Sequence, residues 1–153
     1  MPEGWRIVPE NRAEDAFVGE GARLYGGRWN SVGVVIVYGS QHKSLAALEQ
    51  LVHFNPIRPN RLKAFPFQFP DSLLELASLR TLPSDWREEP APPSTQRLGN
   101  IWVRESRSAV LAIPSIIIPE ELNYLLNPAH PDFKKITIGK PQNFSFDARL
   151  LIA

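Results

Sequence analysis

The sequence predicts one compact domain of short strands and a few short helices, and three observations carry that expectation. Its 153 residues suffice for a single independent core. Fifteen prolines cut the chain into brief elements, because each ring fixes φ and removes a backbone donor. The apolar residues come in short runs, several of them β-branched, instead of long helical stripes.

Taken in order, residues from about Trp5 to Trp29 read as loops and short strands, loosened by Gly19, Gly21, Gly26 and Gly27. Asn30-Ser31-Val32-Gly33 reads as a turn, and the run Val34 to Val37 as a buried strand. This places Arg28 at the end of one strand of a hairpin and Tyr38 at the far end of the other. Ser40 is the expected cap of a helix from about Gln41 to Phe54, with Leu45, Leu48 and Val52 inward and Glu49 at the margin of that stripe. Phe65, Phe67 and Phe69 share one face of an extended strand, and Pro66 assigns that strand to an edge or a bulge.

Residues Thr81 to Ser94, with Pro83, Pro90, Pro92 and Pro93, read as a surface excursion within one domain, not a boundary. A helix is expected from Ser94 or Thr95 to about Glu105, with Leu98, Ile101 and Trp102 inward. The apolar run Ala109 to Ile118 reads as a strand pair broken at Pro114, with Ser115 its lone polar residue. Pro119-Glu120-Glu121 is expected to open a short helix ending at Asn127-Pro128. Lys135 to Ala153 reads as further strands, turning at Pro141 to Asn143.

Charge and composition narrow the function. Seventeen Lys+Arg against 16 Asp+Glu leave a net charge of +1, with no overall bias toward nucleic acid or a membrane surface. The absence of cysteine excludes a disulfide scaffold, a thiolate nucleophile and thiolate metal sites. His42, His53 and His130 are dispersed, so no metal is expected. No basic leader precedes an apolar core and no apolar run approaches membrane-spanning length, so a soluble cytoplasmic protein is the expectation.

Four side chains could carry chemistry. Arg28, behind two glycines, reads either as a clamp for pyrophosphate oxygens or as a surface arginine stacked on a tryptophan. Glu49 could stabilise an oxocarbenium-like transition state, or could simply face His53 one helical turn on. Tyr38 could stack on a flat ring or donate a hydrogen bond, or could sit at the rim of the core. Ser115 could bond a phosphate, a ribose hydroxyl or the carboxylate, or be a strand serine beside a proline kink. A triad of Ser115, His130 and Asp132 is formally available but lacks a nucleophile-elbow sequence.

The ordered motifs change the weights among these alternatives. Phe17-Val18-Gly19-Glu20-Gly21-Ala22, Gly26-Gly27-Arg28-Trp29-Asn30, Val37-Tyr38 and Leu45-Ala46-Ala47-Leu48-Glu49-Gln50-Leu51-Val52-His53 closely resemble the RES domain family. Arg97-Leu98-Gly99-Asn100-Ile101-Trp102, Leu111-Ala112-Ile113-Pro114-Ser115 and Asn123 through Phe133 follow in the family's order, so the resemblance spans nearly the whole chain as a single RES domain, residues 1–153. The family is named for an arginine, a glutamate and a serine, which fall here on Arg28, Glu49 and Ser115. Where this chain has Asn100, the family more often has an aspartate.

The resemblance implies an α+β fold similar to the diphtheria-toxin-like ADP-ribosyltransferases, with two small sheets and short helices around an NAD cleft. It implies the toxin of a bacterial toxin–antitoxin pair that depletes NAD by breaking the nicotinamide–ribose bond, with water or phosphate as acceptor. In that reading Arg28 holds the pyrophosphate, Tyr38 orients the nicotinamide side, Glu49 stabilises the ribosyl cation and Ser115 lines the site. NAD is substrate, so no cofactor or metal is implied. The implied partner is an Xre-type helix-turn-helix antitoxin, in a hetero-oligomer without direct nucleic-acid or membrane binding. Two other readings stand beside it: transfer of ADP-ribose to a protein docked near the Thr81 to Ser94 loop, and a noncatalytic binding module in which Arg28 and Glu49 form a buried ion pair.

Overall fold

A computed structural model describes residues 1–55 and 59–151. The described strands are β1 (Glu3–Pro9), β2 (Val37–Ser40), β3 (Leu62–Gln68), β4 (Leu74–Leu76), β5 (Val110–Pro114), β6 (Leu122–Leu126), β7 (Thr137–Ile138) and β8 (Gln142–Phe144). Helices α1 (Glu20–Tyr25), α2 (Lys43–Leu51) and α3 (Pro93–Glu105) accompany them, and the class is α+β as expected. The strands join in the order β4-β5-β6-β2-β1-β3-β7, with β8 also on β3. Among the described strands only the β4–β5 pair is parallel. The two sheets of the expectation are therefore two halves of one connected sheet, joined at a β1–β2 seam whose paired residues are Trp5 and Ser40.

Each half carries apolar clusters on both faces. On one face, α3 and the Trp29 turn cover β5 and β6 through Trp29, Trp102, Leu111, Ile113 and Leu125. On the same face across the seam, α2 covers β1 and β3 through Ala46, Ile7, Leu62 and Ala64. The opposite face buries Val37, Phe67, Phe69, Val110, Tyr124 and Leu126 in the largest cluster. Gly39 is required there, because a Cβ would stand 2.9 Å from the Phe67 ring.

Several expected elements are displaced, each for a physical reason. The apolar run Val34 to Val37 enters the sheet only at Val37, because its partner β6 stops at Leu126, ahead of Asn127-Pro128. Tyr38 consequently lies within β2, not at its end. Arg28 and Trp29 sit in a tight turn closed by a Gly27–Asn30 bridge, not on a hairpin strand. Ser40 belongs to β2, and His42 occupies the cap position of α2. Val52 follows the last residue of α2 and is 61% exposed, so the inward residues are Leu45 and Ala46.

Ala109 to Ile118 gives one strand, β5, and then a loop. Leu122–Leu126 is a central strand paired with both β2 and β5, not a helix. Sheet pairing on two sides overrides a helix signal made only of Pro119 and two carboxylates. In α3 the fully buried positions are Thr95, Gly99 and Trp102, while Leu98 and Ile101 are only partly covered.

Pro66 is not on an edge strand, yet its missing donor is accommodated. β8 pairs with Leu62 to Ala64 and β7 with Phe67 and Gln68. Pro66 faces the gap between them, where its carbonyl accepts from Gly139 N at 2.8 Å. Gln142 and Asn143 belong to β8 instead of a turn, and Ala148–Leu151 forms a short 3-10 turn. The end of the expected terminal strand, Ile152 and Ala153, lies outside the described residues, as does Pro56 in the connection after α2.

Candidate active site on the sheet seam

Two groups of polar side chains meet on the face shared by α2 and α3. The first is built on the Gly26 to Asn30 turn. Gly26 has φ +73°, and a Cβ on Gly27 would lie 2.8 Å from the Tyr38 hydroxyl, so glycine is needed for conformation at one position and close approach at the next. Tyr38 donates to Asn30 Oδ1 at 2.5 Å and accepts from Trp29 N–H at 3.1 Å. Asn30 is wholly buried, and its amide donates to the carbonyls of Ala22, Ser31 and Val34.

Burial is the main cause that pushes the Tyr38 phenol well above its usual range, against the opposing Trp29 hydrogen bond and the Arg28 charge. The hydroxyl thus stays protonated and braces the turn that carries Arg28. Arg6, from β1, holds the same strand from the other face, donating to the Tyr38 carbonyl at 2.8 Å and to the Ala16 carbonyl at 2.5 Å. Desolvation pushes its guanidinium down to about 10.

Helix α3 supports the turn from outside. Gln96 Nε2 donates to the Gly27 carbonyl at 3.1 Å. Asn100 accepts from Ser31 N–H at 3.0 Å and donates to the Ser31 hydroxyl at 2.8 Å. An aspartate there could accept from both Ser31 groups, so the asparagine preserves the contact with one donor reversed. Gly99, between them, lets the helix backbone rest directly on Trp29.

Arg28 is not a surface arginine: its side chain is 13% exposed. It donates to the carbonyls of Glu88, at 2.7 Å, and Trp86, at 3.3 Å, and pairs with the Glu89 carboxylate. The Thr81 to Ser94 excursion is therefore exposed along Arg87 to Pro90 but seats Leu82 in the core and folds over the arginine.

The second group centres on Glu49. Ser115, fully buried just past β5, donates to Glu49 Oε1 at 2.6 Å. The Ser115 hydroxyl oxygen itself accepts from the N–H groups of Ile117, at 3.0 Å, and Ile118, at 3.2 Å. Asn123 Nδ2 also donates to Glu49 Oε1, at 2.8 Å, and Asn123 Oδ1 accepts from the Ser40 hydroxyl at 2.7 Å. Glu49 thus turns away from His53, which is exposed.

The two groups share strand β2. Tyr38 and Ser40 are two residues apart and project to one face, about 6–7 Å from each other along the strand. Strand β2 thus connects the turn that carries Arg28, through Tyr38, with the Glu49–Ser115 contact, through Ser40 and Asn123. The Arg28–Glu49 ion pair of the noncatalytic reading is not formed, since each residue has other partners. The Ser115–His130–Asp132 triad is not formed either. Ser115 serves Glu49, and His130 Nδ1 accepts from Asp132 N–H at 3.0 Å. Among the described residues no group of three or more His, Cys, Asp or Glu side chains could hold a metal, and no helix is long and apolar enough to cross a membrane.

The sequence assigns no site role to Asn30, Ser40, Glu89, Gln96 or Asn123, although Ser40 reads as a helix cap and Asn30 and Asn123 fall within the family motifs. Helical spacing of Gln96, Gly99 and Asn100 was the available signal for the α3 support. Asn123 and Ser40 had no local signal, because sheet register alone makes them neighbours.

In this mixed α+β domain an arginine-bearing turn, Tyr38 and a serine-bound Glu49 are linked through one strand, β2. The chain matches the RES domain over residues 3–147, and it belongs to the RES domain toxin family. It is 41% identical over 154 residues to the Prs ADP-ribosylating toxin of Sphingobium sp. (strain YBL2), covering 96% of this chain and 95% of that protein. It is 36% identical over 148 residues to the Toxin Res of Yersinia enterocolitica, covering 95% and 97%. Its fold is similar to a chain of the M. tuberculosis MbcT–MbcA toxin–antitoxin complex, with a TM-score of 0.74 at 14% identity, over 94% of this chain and 84% of that one.

Proposed function

We propose that this protein, as the toxin of a toxin–antitoxin pair, cleaves NAD at the nicotinamide–ribose bond. The observation that carries the reading is Glu49, held by Ser115 and Asn123 on the same sheet face as Tyr38 and the turn bearing Arg28. Nicotinamide attached to ribose is a cationic pyridinium, and its departure neutralises it, so no general acid is needed. Positive charge then builds on the ribose, where one ionised carboxylate lowers the barrier most in a site shielded from water. Glu49 fills that role, and Arg28 supplies paired planar donors for the pyrophosphate.

For Arg28 to bind pyrophosphate, the Glu89 carboxylate must leave it. Substrate and Glu89 both present anionic acceptor oxygens to the same guanidinium donors, so they compete. Water or phosphate then attacks the face opposite the departing ring. An Xre-type helix-turn-helix antitoxin is the proposed partner, and the likeness to a chain of a toxin–antitoxin complex supports an antitoxin partner. A cytoplasmic location follows from NAD as substrate.

A second reading, transfer of ADP-ribose to a protein, is favoured by the name of the 41% identical relative, an ADP-ribosylating toxin. The exposed Arg87 to Pro90 stretch beside Arg28 is its proposed docking surface. Incubation with NAD labelled in the adenylate half separates the two. Free ADP-ribose or its phosphate supports cleavage, label on protein supports transfer, and unchanged NAD refutes both.

A further inference from the structure

We infer that Asn123, oriented by Ser40, is a positioning residue that aims the Glu49 carboxylate, an inference that rests on the NAD-cleavage reading. Three flexible side-chain bonds separate a glutamate carboxylate from its backbone, and the carboxylate needs fixed partners to present one oxygen reproducibly. Ser115 and Asn123 both donate to Oε1, at 2.6 and 2.8 Å, leaving Oε2 unengaged by any described residue. Two donors on one oxygen fix the plane of the carboxylate and reserve the other oxygen for the ribose.

Each donor is itself directed. Ser115 accepts two backbone N–H bonds, so its one proton goes to Glu49. Asn123 sits in β6, between β5 and β2, with Ile113 and Ser40 as its strand partners. The Ser40 hydroxyl donates to Asn123 Oδ1 at 2.7 Å, and Ser40 is 3% exposed. Turning the amide over would set its carbonyl oxygen against the carboxylate, so Ser40 and Glu49 together fix one orientation. Hydrogen bonds are donated by Ser40 to the Asn123 oxygen and by the Asn123 nitrogen to Glu49, an order that the strand register builds.

A positioning role is exerted on the cation formed during bond cleavage, so it is felt in kcat and not in KM. The test is steady-state NAD cleavage by Asn123→Ala, Asn123→Asp and Ser40→Ala, with kcat and KM measured separately and folding checked by thermal melting. Asn123→Ala is expected to lower kcat about 10- to 100-fold, as for loss of a hydrogen bond to a charged group, with KM changed less than about 3-fold. Ser40→Ala is expected to lower kcat about 3- to 10-fold. Asn123→Asp places a second carboxylate beside Glu49 and removes a donor, so kcat is expected to fall at least as far as in Asn123→Ala.

A folded Asn123→Ala variant with wild-type kcat, or with its whole loss in KM, overturns the inference while leaving NAD cleavage standing. If Asn123→Ala does not fold, Ser40→Ala decides, and wild-type kcat in that variant overturns the inference. A wild-type protein that leaves NAD intact refutes the parent reading and this inference with it.

Discussion

Gly99→Ala tests the support of the arginine turn most sharply. A Cβ built on Gly99 lies 1.7 Å from the Trp29 carbonyl oxygen, 2.8 Å from its carbonyl carbon and 3.2 Å from its Cβ. Ordinary contact requires roughly 1.5 Å of separation between α3 and the turn, and the obstacle is backbone that cannot rotate aside. Alanine gains about 1 kcal/mol in helix propensity over glycine. Overpacking of this kind costs about 3 kcal/mol or more, at the upper end of its usual range. The balance is a loss of about 2 kcal/mol, or about 4–8 °C in Tm for a chain of this size. Because Gln96 and Asn100 flank Gly99 and hold Gly27 and Ser31, the displacement is passed to Arg28. Thermal unfolding and NAD turnover of the same preparation check both effects. A variant as stable as the wild type, with unchanged turnover, refutes the reasoning.

Glu49→Gln keeps an oxygen to accept from Ser115 and Asn123 but removes the charge; turnover is expected to fall at least about 100-fold with Tm nearly unchanged. Parallel kinetics and melting measure this. Glu89→Ala frees Nη2 of Arg28, while Nη1 keeps the Trp86 and Glu88 carbonyls, and is expected to lower the KM for NAD roughly 2- to 5-fold, the equivalent of one exposed ion pair; a higher KM would show that Glu89 assists binding. For Tyr38, the wild-type minus Tyr38→Phe difference in a spectrophotometric titration is expected to show phenol ionisation above 10.0. The sign follows from burial: the folded state holds the proton more tightly than the unfolded chain, so this contribution to stability is intact below pH 10.0 and lost as pH rises through the raised value. Ionisation below 10.0 would contradict the bracing role.

The α+β class was legible because several motifs occur in a fixed order, and the same motifs named Glu49 and Ser115, which the structure brings into contact. Single residues were less informative. Arg28 could be read as a surface residue until the Trp86 to Glu89 stretch was seen to cover it. Helix α3 was legible to within about two residues, since Trp102 and the prolines before it bound a clear pattern. Leu122–Leu126 was misread as helix because Pro119-Glu120-Glu121 is a local signal, whereas pairing to β2 and β5 is long-range. The same limit hid Asn123 and Ser40. Eighty-three positions apart in sequence, they meet only through register. Val34 to Ile36 had strand character, but the strand beside it ended at Asn127-Pro128, which their own sequence does not encode.

The central claim is that Glu49 and Arg28 break the bond between nicotinamide and ribose. Release of free nicotinamide from ring-labelled NAD, measured for purified wild type, Arg28→Ala and Glu49→Ala, tests it directly. The account predicts release by the wild type, loss of turnover in Glu49→Ala, and sharply weakened turnover at low NAD in Arg28→Ala. Intact NAD with the wild type, or wild-type release by both folded variants, would contradict it.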